Sequence, residues 1–395
     1  MKKSTNSVNF VSMKPIYLFN PENDMALAYG KPHFMMRRSI GKMVDDLSFL
    51  PAWYADRGSF VQVDSERRIE LFEKYCPVNL GVSFVTGIPS DCNAVRPWGW
   101  NHSLCHRLAE RGLPAHLFPS RTQMDLIRQL SSRETAIHLL SHFEGHPFLT
   151  GAATVLHSAE EATRFVFSHE KSVLKAPWSG SGRGVQFVSP ASWNVPIRSW
   201  AEHIIRTQHV LIAEPCYMKT LDFAMEFQSE ADGNVRFTGY SLFETDDNGA
   251  YKRNVLASDK VTENRLTKFV PAPVLLFVKE KLEKELSRTI GGIYQGYLGI
   301  DMFISGKLLH PCVELNLRMN MGILSRILFD RYLADRSTGY LYVEHYPHRG
   351  EALSAHHRLQ EEHPFLTEHG RIRKGYLPLT PVDEYTSYAT YLVME

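Results

Sequence analysis

Residues 171–188, Lys-Ser-Val-Leu-Lys-Ala-Pro-Trp-Ser-Gly-Ser-Gly-Arg-Gly-Val-Gln-Phe-Val, restrict what this chain can fold into more than any other stretch. Ser172 to Leu174 reads as a short buried strand closed by Lys175, and Val185 to Val188 as a second strand. Between them lies Ser179-Gly180-Ser181-Gly182-Arg183-Gly184, three glycines and two serines in six residues. A strand, a glycine loop and a strand is not the strand–loop–helix order of a dinucleotide turn or a Walker loop. Glycine's freedom lets successive backbone N–H groups curl over an anion. A plain hairpin tip needs neither Lys175 nor Arg183, so the stretch is read as a phosphate-binding flap.

A second stretch, residues 299–318, points the same way. Strand alternation puts Glu314, Asn316 and Arg318 on one face and Val313, Leu315 and Leu317 on the other. The apolar face makes core, and the polar face cannot be buried without partners. Asp301 lies in the preceding strand. A two-residue turn at Gly306-Lys307 suits type II′, pairs Ser305 with Leu308, and puts Asp301 opposite Cys312, diagonal to Glu314 on one face. A three-residue turn would send the two carboxylates to opposite faces. Two carboxylates and an amide oxygen on one face are hard ligands suited to Mg²⁺ that also holds nucleotide phosphates.

Together these stretches resemble the ATP-grasp superfamily over roughly residues 120–335. Lys175 and the loop 179–184 match the family's phosphate lysine and flexible flap. His209-Val-Leu-Ile-Ala-Glu-Pro-Cys-Tyr217 matches the strand and hinge that hold adenine, with Glu214 facing the exocyclic amine. Asp222 falls near the ribose-binding acid, where the family more often has Glu. Asp301, Glu314 and Asn316 match the magnesium ligands, and Arg318 an arginine that often follows them. A second phosphate lysine, usual on an earlier helix, has no clear match, and Arg133 is the nearest basic candidate. The resemblance implies an α/β (α+β) chain with the ATP-grasp fold behind a small Rossmann-like α/β domain. It also implies ATP and Mg²⁺ (or Mn²⁺) as cofactors, with Lys175 and Arg318 in the chemistry.

The rest of the chain fits around that module. Residues 1–13 read as a loose leader and 14–120 as the preceding α/β domain. The module itself spans 121–340, with a flap subdomain at about 145–210 and a metal-bearing one at about 211–340. Residues 341–395 are expected as a tail packing on it. Pro15 to Phe19 is a strand that runs through a polar turn into a helix at Met25, and ligands of a doubly wound sheet gather at such strand ends. Glu22 and Asp24 are therefore substrate candidates, with a helix cap as the alternative. A strand is expected at Leu117 to Pro119, and helices over 121–143 with Ser132 capping the second piece. Arg253 and Asn254, after a hairpin turn at 246–249, are candidate substrate or phosphate contacts. The helix Pro273 to Ile290 is expected to pack behind the metal-bearing hairpin.

Lys plus Arg number 44 against 43 for Asp plus Glu, so no bulk attraction to nucleic acid or membrane follows. Five cysteines without CxxC spacing argue against a disulfide scaffold or zinc ribbon and for a reducing, cytoplasmic compartment. No stretch of about 18 apolar residues suggests a membrane span. The expected activity is an ATP-dependent ligase that activates a carboxylate as an acyl phosphate for attack by an amine or thiol, releasing ADP and phosphate. Its partners are then small molecules, and exposed strand edges would allow a homodimer. The alternatives are an ATP-grasp phosphotransferase acting on a hydroxyl and a nucleotide-binding protein without turnover.

Overall fold

The computed structural model describes residues 13–180, 184–245, 251–335 and 337–395. Ser181, Gly182 and Arg183, the turn at 246–249 and all of the expected leader but Met13 lie outside these residues. Three sheets organise the described residues.

The first is parallel, β1 (Pro15–Leu18), β2 (Phe60–Gln62), β3 (Ser83–Val85) and β4 (Ala94–Pro97), in the order β3-β2-β1-β4. Alternation splits β1. Ile16 and Leu18 pack with Leu104 and Leu108, while Tyr17 and Phe19 pack with Phe49 and Trp53. Both faces are covered, as a parallel sheet requires. The strand order reverses between β1 and β4, so their carboxyl ends open a crevice. A single 3-10 turn, Ala115–Leu117, stands in place of the expected strand at Leu117 to Pro119. Pro114 and Pro119 on either side remove ladder donors. The helices Arg121–Leu130 and Arg133–Ser141 follow, and Ser132 caps the second by accepting from the Glu134 N–H.

The second sheet is antiparallel, β5 (Thr154–Leu156), β6 (Ser172–Lys175), β7 (Val185–Val188) and β8 (Leu211–Pro215), in the order β5-β8-β6-β7. Lys175 ends β6 between Val185 and Ile212. Helices Ala159–Phe167 and Val195–Gln208, capped by Ser158 and Asn194, press Ala162, Val166 and Ala201 onto Leu174, Leu211 and Ala213.

The third sheet has nine strands: β9 (Leu221–Ser229), β10 (Val235–Thr245), β11 (Tyr251–Leu256), β12 (Gly296–Ser305), β13 (Leu308–Asn316), β14 (Gly339–His345), β15 (Leu366–Glu368), β16 (Arg371–Pro378) and β17 (Tyr388–Met394). Their order is β13-β12-β9-β10-β11-β14-β17-β16-β15. Strand β9 divides sharply by period. Phe223, Met225 and Phe227 are fully buried in the core, while Asp222, Ala224 and Glu226 face a cavity on the other side. The helix Ala272–Ile290 packs over β9 and β10, and Arg133–Ser141 rather than that helix lies against β13. The stretch 341–395, expected as a tail on the module, is woven into this sheet, supplying most of β14 and all of β15–β17.

Phe227 is 0% exposed and sits where helix and sheet meet. Phe227→Ala is expected to lower unfolding free energy by about 3–5 kcal/mol through lost transfer energy and a residual cavity. The measurement is the urea midpoint at unchanged m-value. A loss below about 1 kcal/mol would contradict this core placement.

Candidate functional site

The β12–β13 hairpin turns through Gly306 and Lys307, pairing Ser305 with Leu308, and Gly306 takes φ of 62°. Lys307 is not among the residues with positive φ, as a type II′ turn requires. The register then breaks. Phe303 pairs with His310, yet the next ladder position joins Asp301 to Glu314. One residue of β12 is therefore matched by three of β13, and the first of these, Pro311, has no N–H to give the ladder. Asp301 thus stands directly opposite Glu314, not diagonal to it and not facing Cys312 as expected.

Two carboxylates so placed disturb each other. Burial, then Glu314, pushes the Asp301 carboxyl up to about 7, against donation from Asn316 and the Arg318 charge. Asn316 Nδ2 donates to Asp301 at 3.0 Å, and Asn316 Oδ1 accepts from Arg318 at 2.9 Å. Arg318 also clasps both oxygens of Asp24 at 2.8 and 2.7 Å. Burial works against the Arg318 charge, but Asp24, Glu314 and Asp301 outweigh it and hold the guanidinium above its ordinary value.

The glycine-loop hairpin meets this strand through Arg133. That side chain is 5% exposed. Its fork donates to Ala176 O and Ser179 Oγ at the loop's base, and to Glu314 Oε2 at 2.8 Å. Gly180 lies so close to the Asp24 carboxylate that a Cβ there would collide with it. Gly184 turns the chain back at φ of 73°. Lys175 Nζ donates to Glu214 Oε2 at 2.6 Å, in a largely buried pair. Asp222 is held by Lys219 at 2.8 Å, and Tyr217 leans on Phe303 and His310.

The charged groups among these, with Tyr217 and Asn316, line one cavity of about 400 Å³ between the second and third sheets. Val173, Val185 and Pro215 on one side, with Met302 and Val313 on the other, make an apolar slot for a flat ring. Six acids (Asp24, Glu214, Asp222, Glu226, Asp301, Glu314) and four bases (Arg133, Lys175, Lys219, Arg318) line it, a surplus of two acidic side chains among the described residues. A divalent cation fits that surplus, and the donor set at Asp301, Glu314 and Asn316 is hard oxygen. Among the described residues no three His, Cys, Asp or Glu side chains are grouped to hold a metal, and the Asn316 amide oxygen is the further hard donor beside Asp301 and Glu314.

The structure brings Lys175, Glu214, Tyr217, Asp222, Asn254, Asp301, Glu314, Asn316, Arg318 and Asp24 to the cavity. Ser179 faces a small adjoining crevice with Asp24 and Glu314. Two substrate candidates do not reach it. Glu22 is 1% exposed and turned inward, where Arg107 binds it at 3.0 Å. Arg253 points to the opposite sheet face, as alternation with Asn254 demands. There it pairs with Glu244 at 2.7 Å and stacks on Tyr340.

Among the cavity residues that escape the sequence reading are Lys219, Glu226 and Asn320. Glu226 carried a signal, since it follows Asp222 at twice the strand period within an otherwise apolar run. Asn320 caps the helix Met321–Tyr332 through Oδ1 and donates Nδ2 to Glu226 Oε2 at 3.0 Å. Burial is the main force pushing the Glu226 carboxyl up to about 8, with Asp301 adding to it and Asn320 opposing.

No protein-family model matches the sequence, and no curated protein matches it. Solved structures do. The chain has the ATP-grasp fold. Biotin carboxylase from Campylobacter jejuni, in a β,γ-ATP complex, is similar at TM-score 0.53 and 14% identity, covering 98% of this chain and 88% of that one. N5-carboxyaminoimidazole synthetase from Staphylococcus aureus, complexed with ADP, matches at TM-score 0.51 and 12% identity over 97% and 93%. The biotin carboxylase domain of Hydrogenobacter thermophilus 2-oxoglutarate carboxylase, with MgADP, ADP and bicarbonate, matches at 0.52 and 13% over 97% and 87%.

Glu226 gives the site a pH signature. Its carboxyl is raised from 4.5 to about 8, so the native state holds a proton that the unfolded chain has released across that window. Stability contributed by this group is present below pH about 4.5 and is lost as pH rises through about 8. In metal-free buffer, Glu226→Gln is expected to flatten the fall in melting temperature between pH 5 and 8. An unchanged slope would contradict the burial of an unpaired carboxyl here.

Proposed function

We propose that this protein is an ATP-dependent ligase that activates a carboxylate as an acyl phosphate for attack by an amine or thiol, with ADP and phosphate released. The observation that carries the reading is that two hairpins line one cavity, Lys175 on one and Asp301 and Glu314 on the other with Arg318 just beyond, while Arg133 joins Ser179 to Glu314. The fold shared with solved structures holding ADP and MgADP supports it.

In this reading adenine enters the apolar slot, with Glu214 and Tyr217 at its edge and Asp222 at the ribose. Lys175 and Arg133, now paired with Glu214 and Glu314, exchange those acids for phosphate oxygens. Ser179 and Gly180 at the loop's base offer a hydroxyl and an N–H to the same oxygens. Magnesium held by Asp301, Glu314 and Asn316 supplies charge neutralisation to the phosphates when bound. The substrate carboxylate attacks the γ-phosphorus, forming a C–O–P link as the bond to ADP breaks. The nucleophile then attacks the acyl carbon and phosphate leaves. Arg318, locked in place by Asp24, meets the charge on the transferring phosphoryl group or on the tetrahedral oxyanion. The unpaired cysteines fit a reducing compartment. Among the described residues, no helix is long and apolar enough to cross a membrane.

The test is ADP release with ATP, Mg²⁺ and a panel of acids, amines, thiols and alcohols, with products weighed by mass spectrometry. Amide or thioester formation is expected, and Glu314→Ala should cost about 10²-fold or more in rate. A phosphorylated alcohol without amide or thioester would assign a phosphotransferase, and unchanged ATP across the panel would favour a binding protein.

A further inference from the structure

The cavity continues past Arg318 to the crevice at the ends of β1 and β4, where Phe19 and Trp98 line it, edge to face at 5.1 Å. Leu47 and Met321 extend this apolar wall, and Phe243 closes it from the third sheet. Its polar floor combines the acceptors of Asn254 and Glu226 with the hydroxyls of Ser241 and Tyr251. Asn254 is 1% exposed, and among the described residues its Oδ1 has no partner. Its amide cannot simply turn over, because Nδ2 donates to Ser241 Oγ at 2.7 Å and to the Leu242 carbonyl at 3.3 Å. Glu226, also 1% exposed, receives Asn320 on Oε2. Its carboxyl has room only because the chain has glycine at 299 and 322, where a Cβ would strike it.

Arg318 is the one cation near this floor to which the electrostatics of Glu226 point, and its fork is taken by Asp24 and Asn316. A carboxylate placed here would give Asn254 Oδ1 no donor and, among the described residues, would find no cation free of an acid partner. A thiol offers one weak S–H donor to two acceptors. An amine offers two or three N–H donors and can satisfy both. A buried acceptor left without a donor costs free energy, and a ligand donor removes that cost.

We propose, resting on the ligase reading, that this part of the cavity seats the nucleophile and selects an amine with an apolar or aromatic body, its nitrogen received by Glu226 and Asn254 Oδ1. The acid being activated then lies on the phosphate side of Arg318. Glu226 and Asn254 decide amine over thiol, and the Phe19–Trp98 wall decides the body.

The test uses the full chain and ligand-observed NMR with benzylamine, phenethylamine and cyclohexylamine against benzyl mercaptan, benzyl alcohol and benzoate. At least one amine is expected to bind about tenfold or more tightly than its thiol, alcohol and acid counterparts. Glu226→Gln, which keeps the volume but turns one acceptor into a donor, should weaken that amine by about tenfold. Equal binding of thiol or acid, amine affinity unmoved in Glu226→Gln, or no amine binding at all would overturn the proposal; the comparison among ligands needs no variant. Binding of a fluorescent ATP analogue to the unaltered protein is measured alongside. Nucleotide without amine sinks the subsite alone, and amine without nucleotide sinks the ligase reading alone.

Discussion

Asp301 and Glu314 face each other across a ladder, and two carboxylates at that distance do not both stay ionised in a buried setting unless positive charge comes to them. Much of the site answers that requirement. Arg133 reaches across from a helix N-terminus to Glu314, the amide of Asn316 turns its donor toward Asp301, and Arg318 stands behind both. Because Arg133 also holds the base of the glycine loop, the charge balance of the acidic hairpin fixes where the cationic hairpin sits. Arg318 ties the same cluster to the N-terminal sheet through Asp24, and the Met319 N–H donates to the Trp98 carbonyl at 2.8 Å. Three sheets are thereby joined at one electrostatic knot.

Each cation of that knot is now matched to an acid, and the acids outnumber the cations by two. Such a site is poised for exchange. Phosphate oxygens can take Lys175 and Arg133 from Glu214 and Glu314, provided that other positive charge arrives for the acids released. In the proposed reading a nucleotide arriving alone would leave its phosphates facing the released acids in low dielectric, so it would bring a divalent cation with it. Burial first, and then the facing Glu314, push the Asp301 carboxyl up.

What the sequence made legible was local. The two strands that flank residues 179–184, the two-residue turn at Gly306 and the polar face of β13 are all patterns of adjacent residues. The errors arise where distant pairing intervenes. Pro311 was visible in the strand, but the bulge that it forces could be placed only once β12 lay beside it. Arg253 and Asn254 differ by one residue and hence by a sheet face, and a break in pairing between Glu244 and Thr245 obscures their parity. Glu22 is withdrawn by Arg107, 85 residues away. Glu226 hid in an apolar strand because its partner Asn320 lies 94 residues on, and the strands after residue 339 join a sheet whose other members lie far upstream.

The most direct measurement is a crystal structure of the protein with magnesium and a non-hydrolysable ATP analogue. The account predicts the triphosphate between Lys175 and the Asp301–Glu314 pair, with adenine in the slot beside Glu214 and Tyr217. A nucleotide bound elsewhere, or Lys175 still on Glu214 and Arg133 still on Glu314 with nucleotide present, would contradict it.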